Sequence, residues 1–273
     1  MKSILVLRSF GDYIVMLSCL KKKHSGDIYV YASDHLEELH KSLNYNFDEN
    51  IYFRFIDFEI DKGILPFFTN KYFLSYSNIK SLLKIKKFVR TINQDDLILE
   101  QDKRLNLFNL LIGRNYSYIH TNSNNNIYDS YCNFFDSNIN NETDLSNVNS
   151  IVIFPDSRKS EKIIQNEIIN KLIQNIKIKN IVIAKFGNDC ETSNSICYNN
   201  FEKLTKIIKN ADLIISSDSL PLHLCQFFNK FHFALYNNKI NHEWTTPISR
   251  LNKTNYLTND IKNLTNHINT YLC

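Results

Sequence analysis

A chain of 273 residues, 43% hydrophobic and 22% charged, can bury a core in one large or two medium domains, which excludes global disorder. The net charge of +4 suits an anionic small molecule or a membrane surface and makes no demand for nucleic acid. Six scattered cysteines (19, 132, 190, 197, 225, 273) form no CxxC pair, so the expectation is free thiols in a reducing cytosol rather than a zinc site or a disulfide framework. The first apolar run, Ile4–Leu7, is interrupted by Arg8 and Asp12, and no stretch of about 18 apolar residues follows. A soluble, cytoplasmic protein is expected.

The elements can be read in order. Ile4–Leu7 is a β-branched and leucine run with strand character, Ser9–Asp12 a turn, and Tyr13–Leu20 a buried helix. Gly11 can take a positive φ and let a ligand approach the backbone. Asp27–Ala32 and Ile51–Ile60 read as strands with a short helix, His35–Leu43, between them. Asn78–Thr91 has apolar residues at helical spacing, interleaved with Lys80, Lys84, Lys86, Lys87 and Arg90, which read chiefly as a solvated face. Asp96–Glu100 is a strand, and Lys103 and Arg104 follow its end, where open α/β sheets bind ligands. Tyr116–His120 is a further strand. The Asn-, Ser- and Asp-rich stretch 122–149 reads as a linker, with Tyr128, Tyr131, Phe134 and Phe135 suggesting a short helix within it.

The same grammar restarts at Ser150. Ser150–Phe154 is a strand, Ile163–Ile176 a helix, Asn180–Ala184 a strand and Tyr198–Asn210 a helix. The stretch that organises the rest is Ala211–Cys225. Leu213–Ile215 reads as a buried parallel strand, Ser216–Ser219 as a tight polar turn, and Pro221 as an opener of a helix capped by Asp218 or Ser219. Strand, polar turn and helix N-terminus together make a phosphate-binding geometry, with free N–H groups and the positive end of a helix dipole. Phe231–Tyr236 is a last core strand, and Asn259–Leu272 an amphipathic closing helix. Two successive β/α halves predict an α/β protein of two doubly wound, Rossmann-like domains facing a cleft. The expected division is 1–121, a linker over 122–149, 150–258, and a C-terminal helix over 259–273.

The ordered set Ile4-Leu-Val-Leu-Arg-Ser-Phe-Gly-Asp12, Asp96-Leu-Ile-Leu-Glu100, Ile153-Phe-Pro155 with Lys162, Phe201-Glu-Lys-Leu204 and Asp212-Leu-Ile-Ile-Ser-Ser-Asp-Ser-Leu-Pro-Leu-His223 resembles the bacterial heptosyltransferases, glycosyltransferase family nine. The resemblance runs in register over nearly the whole chain. It implies a GT-B fold and a metal-independent, inverting sugar transfer with no cofactor, the N-terminal domain receiving the acceptor and the C-terminal domain holding a nucleotide-sugar donor.

On that resemblance Asp12 matches the general base, with Ser9 and Gly11 beside it on the acceptor side. A carboxylate there would take the acceptor hydroxyl's proton, whereas the plainer role for Asp12 is to cap the first helix. Lys162 matches the lysine that meets donor phosphates, with Arg158 and Lys159 close enough to substitute. Asp218 resembles the donor-sugar contact, Ser219 and Leu220 offer backbone N–H groups, and His223 matches a histidine of the following helix, although a structural histidine is the commoner outcome. Glu191 falls loosely where a ribose-binding carboxylate would stand, and Trp244 could line the cleft or pack. Lys103 and Arg104 are candidates for an anionic acceptor. Two departures stand out. Leu220 replaces a usual glycine, and Asp156 replaces the glycine of a usual Pro-Gly, where a carboxylate near a diphosphate would be repulsive unless turned away.

The implied function is transfer of a sugar, heptose by analogy, from an ADP-heptose-like donor to a lipopolysaccharide core or another bacterial surface glycan. The implied partners are that donor, a glycolipid or oligosaccharide acceptor and the inner-membrane surface, with no nucleic acid. The rivals are a transferase with a different donor acting on capsule, O-antigen or protein, and a non-catalytic scaffold that binds a partner. A nicotinamide dehydrogenase is disfavoured because no strand-to-helix turn carries Gly-x-Gly-x-x-Gly.

Overall fold

The structure is a computed structural model that describes residues 1–7, 9–58, 76–92, 97–99, 117–119, 125–139, 141–143, 148–178, 180–188 and 194–272. The chain divides into two compact units, Met1–Asn138 and Ile139–Cys273. Each is built on a parallel sheet.

In unit 1, β1 (Lys2–Val6), β2 (Ile28–Ser33), β3 (Ile51–Ile56), β4 (Leu97–Leu99) and β5 (Ser117–Tyr118) are arranged in the order β3-β2-β1-β4-β5. The chain thus leaves β1 for one side of the sheet and later returns to the other side, placing a topological switch point between β1 and β4. Helix α1 (Phe10–Cys19) follows β1, α2 (Glu37–Ser42) follows β2, and α3 (Tyr76–Val89) follows β3. From Tyr13 to Cys19 every residue of α1 is buried, which explains why this helix reads as apolar all round. On α3, Lys84 is tied to Asp57 by an ion pair of 3.3 Å, so the basic face is not wholly solvated.

The stretch expected as a linker contains helix α4 (Ile127–Phe135), capped by the Asn126 side chain, which accepts from Tyr128 N. Its Ile127, Tyr128, Tyr131 and Phe135 are buried and it packs on α1, so this segment belongs to unit 1. Four aromatic side chains in nine residues give it enough apolar surface to dock despite its polar flanks.

Unit 2 has β6 (Ile151–Phe154), β7 (Ile181–Phe186), β8 (Ser195–Tyr198), β9 (Leu213–Ser217), β10 (His232–Tyr236) and β11 (Asn255–Leu257), in the order β11-β10-β9-β6-β7-β8. Its switch point lies between β6 and β9. Strands β6, β9 and β10 are buried along their whole length, as expected of a parallel sheet covered on both faces. Ile151, Ile153, Leu213, Ile215, Phe231 and Phe233 form one core with α5 (Asn166–Asn175) and α9 (Ile261–Asn269), through Ile169, Leu172, Leu264 and Ile268. Leu222 of α7 (Leu220–Phe227) packs with Ala234 and Tyr236. Helices α6 (Phe201–Asn210) and α8 (Pro247–Leu251) complete the described elements of the unit. The start of β6 is fastened by Asp212, whose Oδ2 accepts from Asn149 N, Ser150 N and Ser150 Oγ at 3.0, 3.0 and 2.9 Å.

Several expectations need correction. Helix α1 begins at Phe10 rather than Tyr13, so Gly11 sits inside its first turn and is not a turn glycine. Residues Ser195–Tyr198 pair with β7 as an edge strand, and the next helix begins only at Phe201, where Asn200 Oδ1 accepts from Lys203 N at 2.9 Å. Helix α5 starts at Asn166, because residues 160–162 form a 3₁₀ turn. Strand β11 was not expected, being three half-buried residues between turns. Cys19, Cys132 and Cys225 are free thiols, but Cys197 is disulfide-bonded, against the expectation of free thiols throughout. Among the described residues no helix is long and apolar enough to cross a membrane.

Candidate functional site

The candidate site of unit 2 lies where β6 and β9 end, beside the switch point at which open α/β sheets bind ligands. Ser216 and Ser217 end β9 fully buried, and Asp218 follows at 7% exposure. Lys162 comes from the 3₁₀ turn after β6, and its Nζ donates to Asp218 Oδ2 at 2.5 Å. Two residues 56 positions apart are thus joined across the C-terminal edge of adjacent strands. The flanking Arg158 and Lys159 are exposed, so of the three basic candidates it is Lys162 that reaches the buried carboxylate.

The turn into α7 is held by its serines. Ser217 Oγ donates to Asp156 O at 2.9 Å, so the 2.9 Å pair between Ser217 Oγ and Ser219 Oγ has Ser219 as its donor. Ser219 occupies the N-cap position of α7 without giving its side chain to the cap. The helix starts at Leu220, one residue earlier than the proline suggests, and Pro221 lies in its first turn. Leu222 N donates to Ser219 O at 3.1 Å, while first-turn N–H groups in general have no partner within their helix. Leu220 is half-buried at the first position of α7.

Asp156 is turned away from this centre, resolving the repulsion its sequence position suggested. Its Oδ2 accepts from Phe186 N at 2.9 Å, at the end of β7. Its charge also adds to burial in raising the pKa of the Tyr198 phenol. On the other flank, Tyr236 ends β10, and burial together with the nearby Asp218 charge keeps its phenol protonated. Asn237 follows it, and its Nδ2 donates to Glu161 O at 2.7 Å and to Ile163 O at 2.9 Å. Sequence reading missed Asn237, since asparagines abound along the chain and nothing local separates this one from its neighbours.

His223 is buried in the first turn of α7 with its ring edge-on to Trp244, centroids 6.2 Å apart. Trp244, half-buried, thus packs against this histidine. Glu191, Lys103 and Arg104 lie outside the described residues.

In unit 1 the matching position is the end of β1. Ser9 is the N-cap of α1, accepting from Asp12 N at 3.4 Å, and its Oγ donates to Asp12 Oδ2 at 2.8 Å. Asp12 is half-buried in the first turn of α1. Ser9, Gly11 and Asp12 are therefore together at the helix N-terminus. The hydrogen bond from Ser9 orients one carboxylate oxygen, and the other has no hydrogen bond among the described residues. Among the described residues no group of three or more His, Cys, Asp or Glu side chains could hold a metal ion.

Neither a family model nor a curated protein matches the sequence. Solved structures do match the fold. The heptosyltransferase WaaC of E. coli, solved with ADP, superposes with a TM-score of 0.58 at 11% identity, over 100% of this chain and 99% of its own. The E. coli ADP-heptose lipopolysaccharide heptosyltransferase II gives 0.55 at 11% identity, over 100% and 98%. A family nine glycosyltransferase from Veillonella parvula gives 0.57 at 15% identity, over 94% and 85%. With parallel sheets in both units and these likenesses along its whole length, the chain has the GT-B fold of the heptosyltransferase structures.

Proposed function

We propose that the protein is an inverting, metal-independent glycosyltransferase that moves a sugar from a nucleoside diphosphate to an acceptor hydroxyl. The observation that carries this reading is the Lys162–Asp218 pair beside the N-terminus of α7 at the β6/β9 switch point. An ammonium and a helix N-terminus side by side suit a diphosphate, each lowering the energy of the charge that develops on it as it leaves. Asp218 then turns to the donor sugar while Lys162 shifts its charge to the phosphates.

Asp12 is the general base. It takes the acceptor hydroxyl's proton, the acceptor oxygen bonds to the anomeric carbon from the face opposite the diphosphate, and the carbon–oxygen bond to the diphosphate breaks with its electron pair going to the leaving group. Ser9 holds the carboxylate in place for this step. Unit 1 would receive the acceptor and unit 2 the donor. Glu191 would serve the donor ribose, and Lys103 and Arg104 an anionic acceptor. ADP-heptose is the first donor to try, because the WaaC structure of the same fold was solved with ADP. The acceptor would be a lipopolysaccharide core or another surface glycan, reached by peripheral contact with the cytoplasmic face of the inner membrane.

The test is binding of ADP, UDP, GDP and CDP to the wild type and to Lys162→Ala and Asp218→Ala. Selective binding of one nucleotide, weakened about tenfold or more by Lys162→Ala, supports the donor site. Failure of folded wild-type protein to bind any of the four would overturn the reading in favour of a non-catalytic scaffold.

A further inference from the structure

Lys162 sits on a short turn with few constraints of its own, since residues 158–161 are exposed. Two backbone bonds close the turn, from Lys162 N to Lys159 O and from Ile163 N to Ser160 O, at 3.0 and 3.2 Å. These fix its local shape but not its position over the sheet. The position is set at two further points. Ile164 N donates to Pro155 O at 3.0 Å, tying the turn's exit to the end of β6. The Asn237 amide donates to the carbonyls of Glu161 and Ile163, the residues on either side of Lys162.

Asn237 follows β10, and β9 lies between β10 and β6 in the sheet. Its amide therefore draws the β6 turn across the end of β9, where Asp218 stands. Both protons of one NH₂ group are used on carbonyls that bracket a single residue, which restrains both sides of the Lys162 Cα. Asn237 itself is anchored through its backbone, its carbonyl accepting from Thr258 Oγ1 at 3.3 Å. Neither a serine nor an aspartate could do the same, for a hydroxyl has one proton and a carboxylate none.

We infer that Asn237 is a positioning residue that clamps the Lys162 turn, holding the ammonium over Asp218 and the N-terminus of α7 for a nucleoside diphosphate. The inference rests on the donor-site reading for its ligand, but the clamp itself can be read without one. Because the Asn237 side chain bonds only to backbone carbonyls among the described residues, its effect on the ligand passes through Lys162.

Two measurements on Asn237→Ala and Asn237→Asp test this. The first is acetylation of lysines by acetic anhydride, read peptide by peptide by mass spectrometry on ligand-free protein. Lys162 should label about threefold or more faster in Asn237→Ala as its pairing with Asp218 loosens, with Lys159 changing less than about twofold. Asn237→Asp should label faster still, because a carboxylate facing two carbonyls repels them. Equal Lys162 labelling in wild type and both variants overturns the clamp.

The second is titration with whichever of ADP, UDP, GDP or CDP binds the wild type. Asn237→Ala should weaken binding about 5–10-fold, and adding it to Lys162→Ala should change affinity by less than about twofold, since the two act as one unit. A full further loss in the Lys162→Ala background would show that Asn237 serves the fold in general and would overturn the positioning role. If wild type binds no nucleotide while Lys162 labelling rises in the variants, the donor-site reading fails and the clamp stands.

Discussion

Lys162 Nζ lies 2.5 Å from Asp218 Oδ2, and the two differ in setting, the lysine side chain being 30% exposed and the aspartate 7%. The carboxylate is the member that depends on the pair. A buried charge stripped of its partner is costly, whereas removing both charges together costs much less.

Lys162→Ala should therefore lower unfolding stability by about 1–3 kcal/mol, less than for a fully buried pair because the lysine end is partly hydrated. The double variant Lys162→Ala with Asp218→Asn should recover most of that loss. Urea denaturation of the two proteins is the check. Equal losses would mean that Asp218 is stabilised by other groups.

Asp12 has one observed duty, in the Ser9 cap, and one proposed, as the base, and the two can be separated. As part of the Ser9 cap it contributes to the start of α1, and as the base it would govern turnover. Asn at this position keeps a side-chain acceptor for Ser9 but cannot take up a proton. Asp12→Asn should lower turnover about 10²–10⁴-fold while leaving nucleotide affinity within about twofold. The melting temperature should shift little. A variant with full turnover would leave Asp12 with the cap alone.

Acid should weaken the fold through His232. The ring is fully buried, with Nδ1 donating to Lys230 O at 2.7 Å and Nε2 within 2.6 Å of Thr246 Oγ1. The tautomer follows because a carbonyl can only accept. Burial lowers the histidine pKa to about 4. Between about pH 6.5 and 4 the unfolded chain binds a proton that the folded chain refuses, so stability falls as pH falls through that window and is fully present above it. The loss from this group is on the order of 3 kcal/mol, at up to about 1.4 kcal/mol per pH unit. His40, also lowered to about 4 by burial, adds in the same direction. Urea midpoints at pH 7 and pH 5 should show the decline, and His232→Gln should make it shallower.

Asp212 should matter to the stability of unit 2 rather than to binding. One of its oxygens accepts three hydrogen bonds where the chain enters β6. Asp212→Ala should cost about 2 kcal/mol by losing charge-assisted bonds, with nucleotide affinity unchanged in the protein that remains folded.

The alternation of strand and helix, and with it the parallel α/β class, was legible because buried strands such as Leu213–Ile215 and Ile151–Phe154 are uninterrupted apolar runs. Helix ends were less so. The start of α1 was misplaced because its first turn, Phe10-Gly-Asp, has poor helical propensity and is secured by the Ser9 cap. Strand β8 carries no strong pattern and forms by pairing along the edge of β7.

Local chemistry in the sequence was enough to locate the turn at Asp218–Leu220 and the basic segment before α5, because both depend on residue type at a strand end. Which of Arg158, Lys159 and Lys162 meets Asp218 was a tertiary decision, made by the order of strands that sets β6 beside β9. The same holds for Asp156, whose carboxylate is drawn to the Phe186 N–H of the neighbouring strand, and for Asn237, whose partners lie 76 and 74 residues away. A sequence lists donors and acceptors, but hydrogen bonds reach only about 3 Å, so their partners are chosen only once the sheet has brought distant strand ends together.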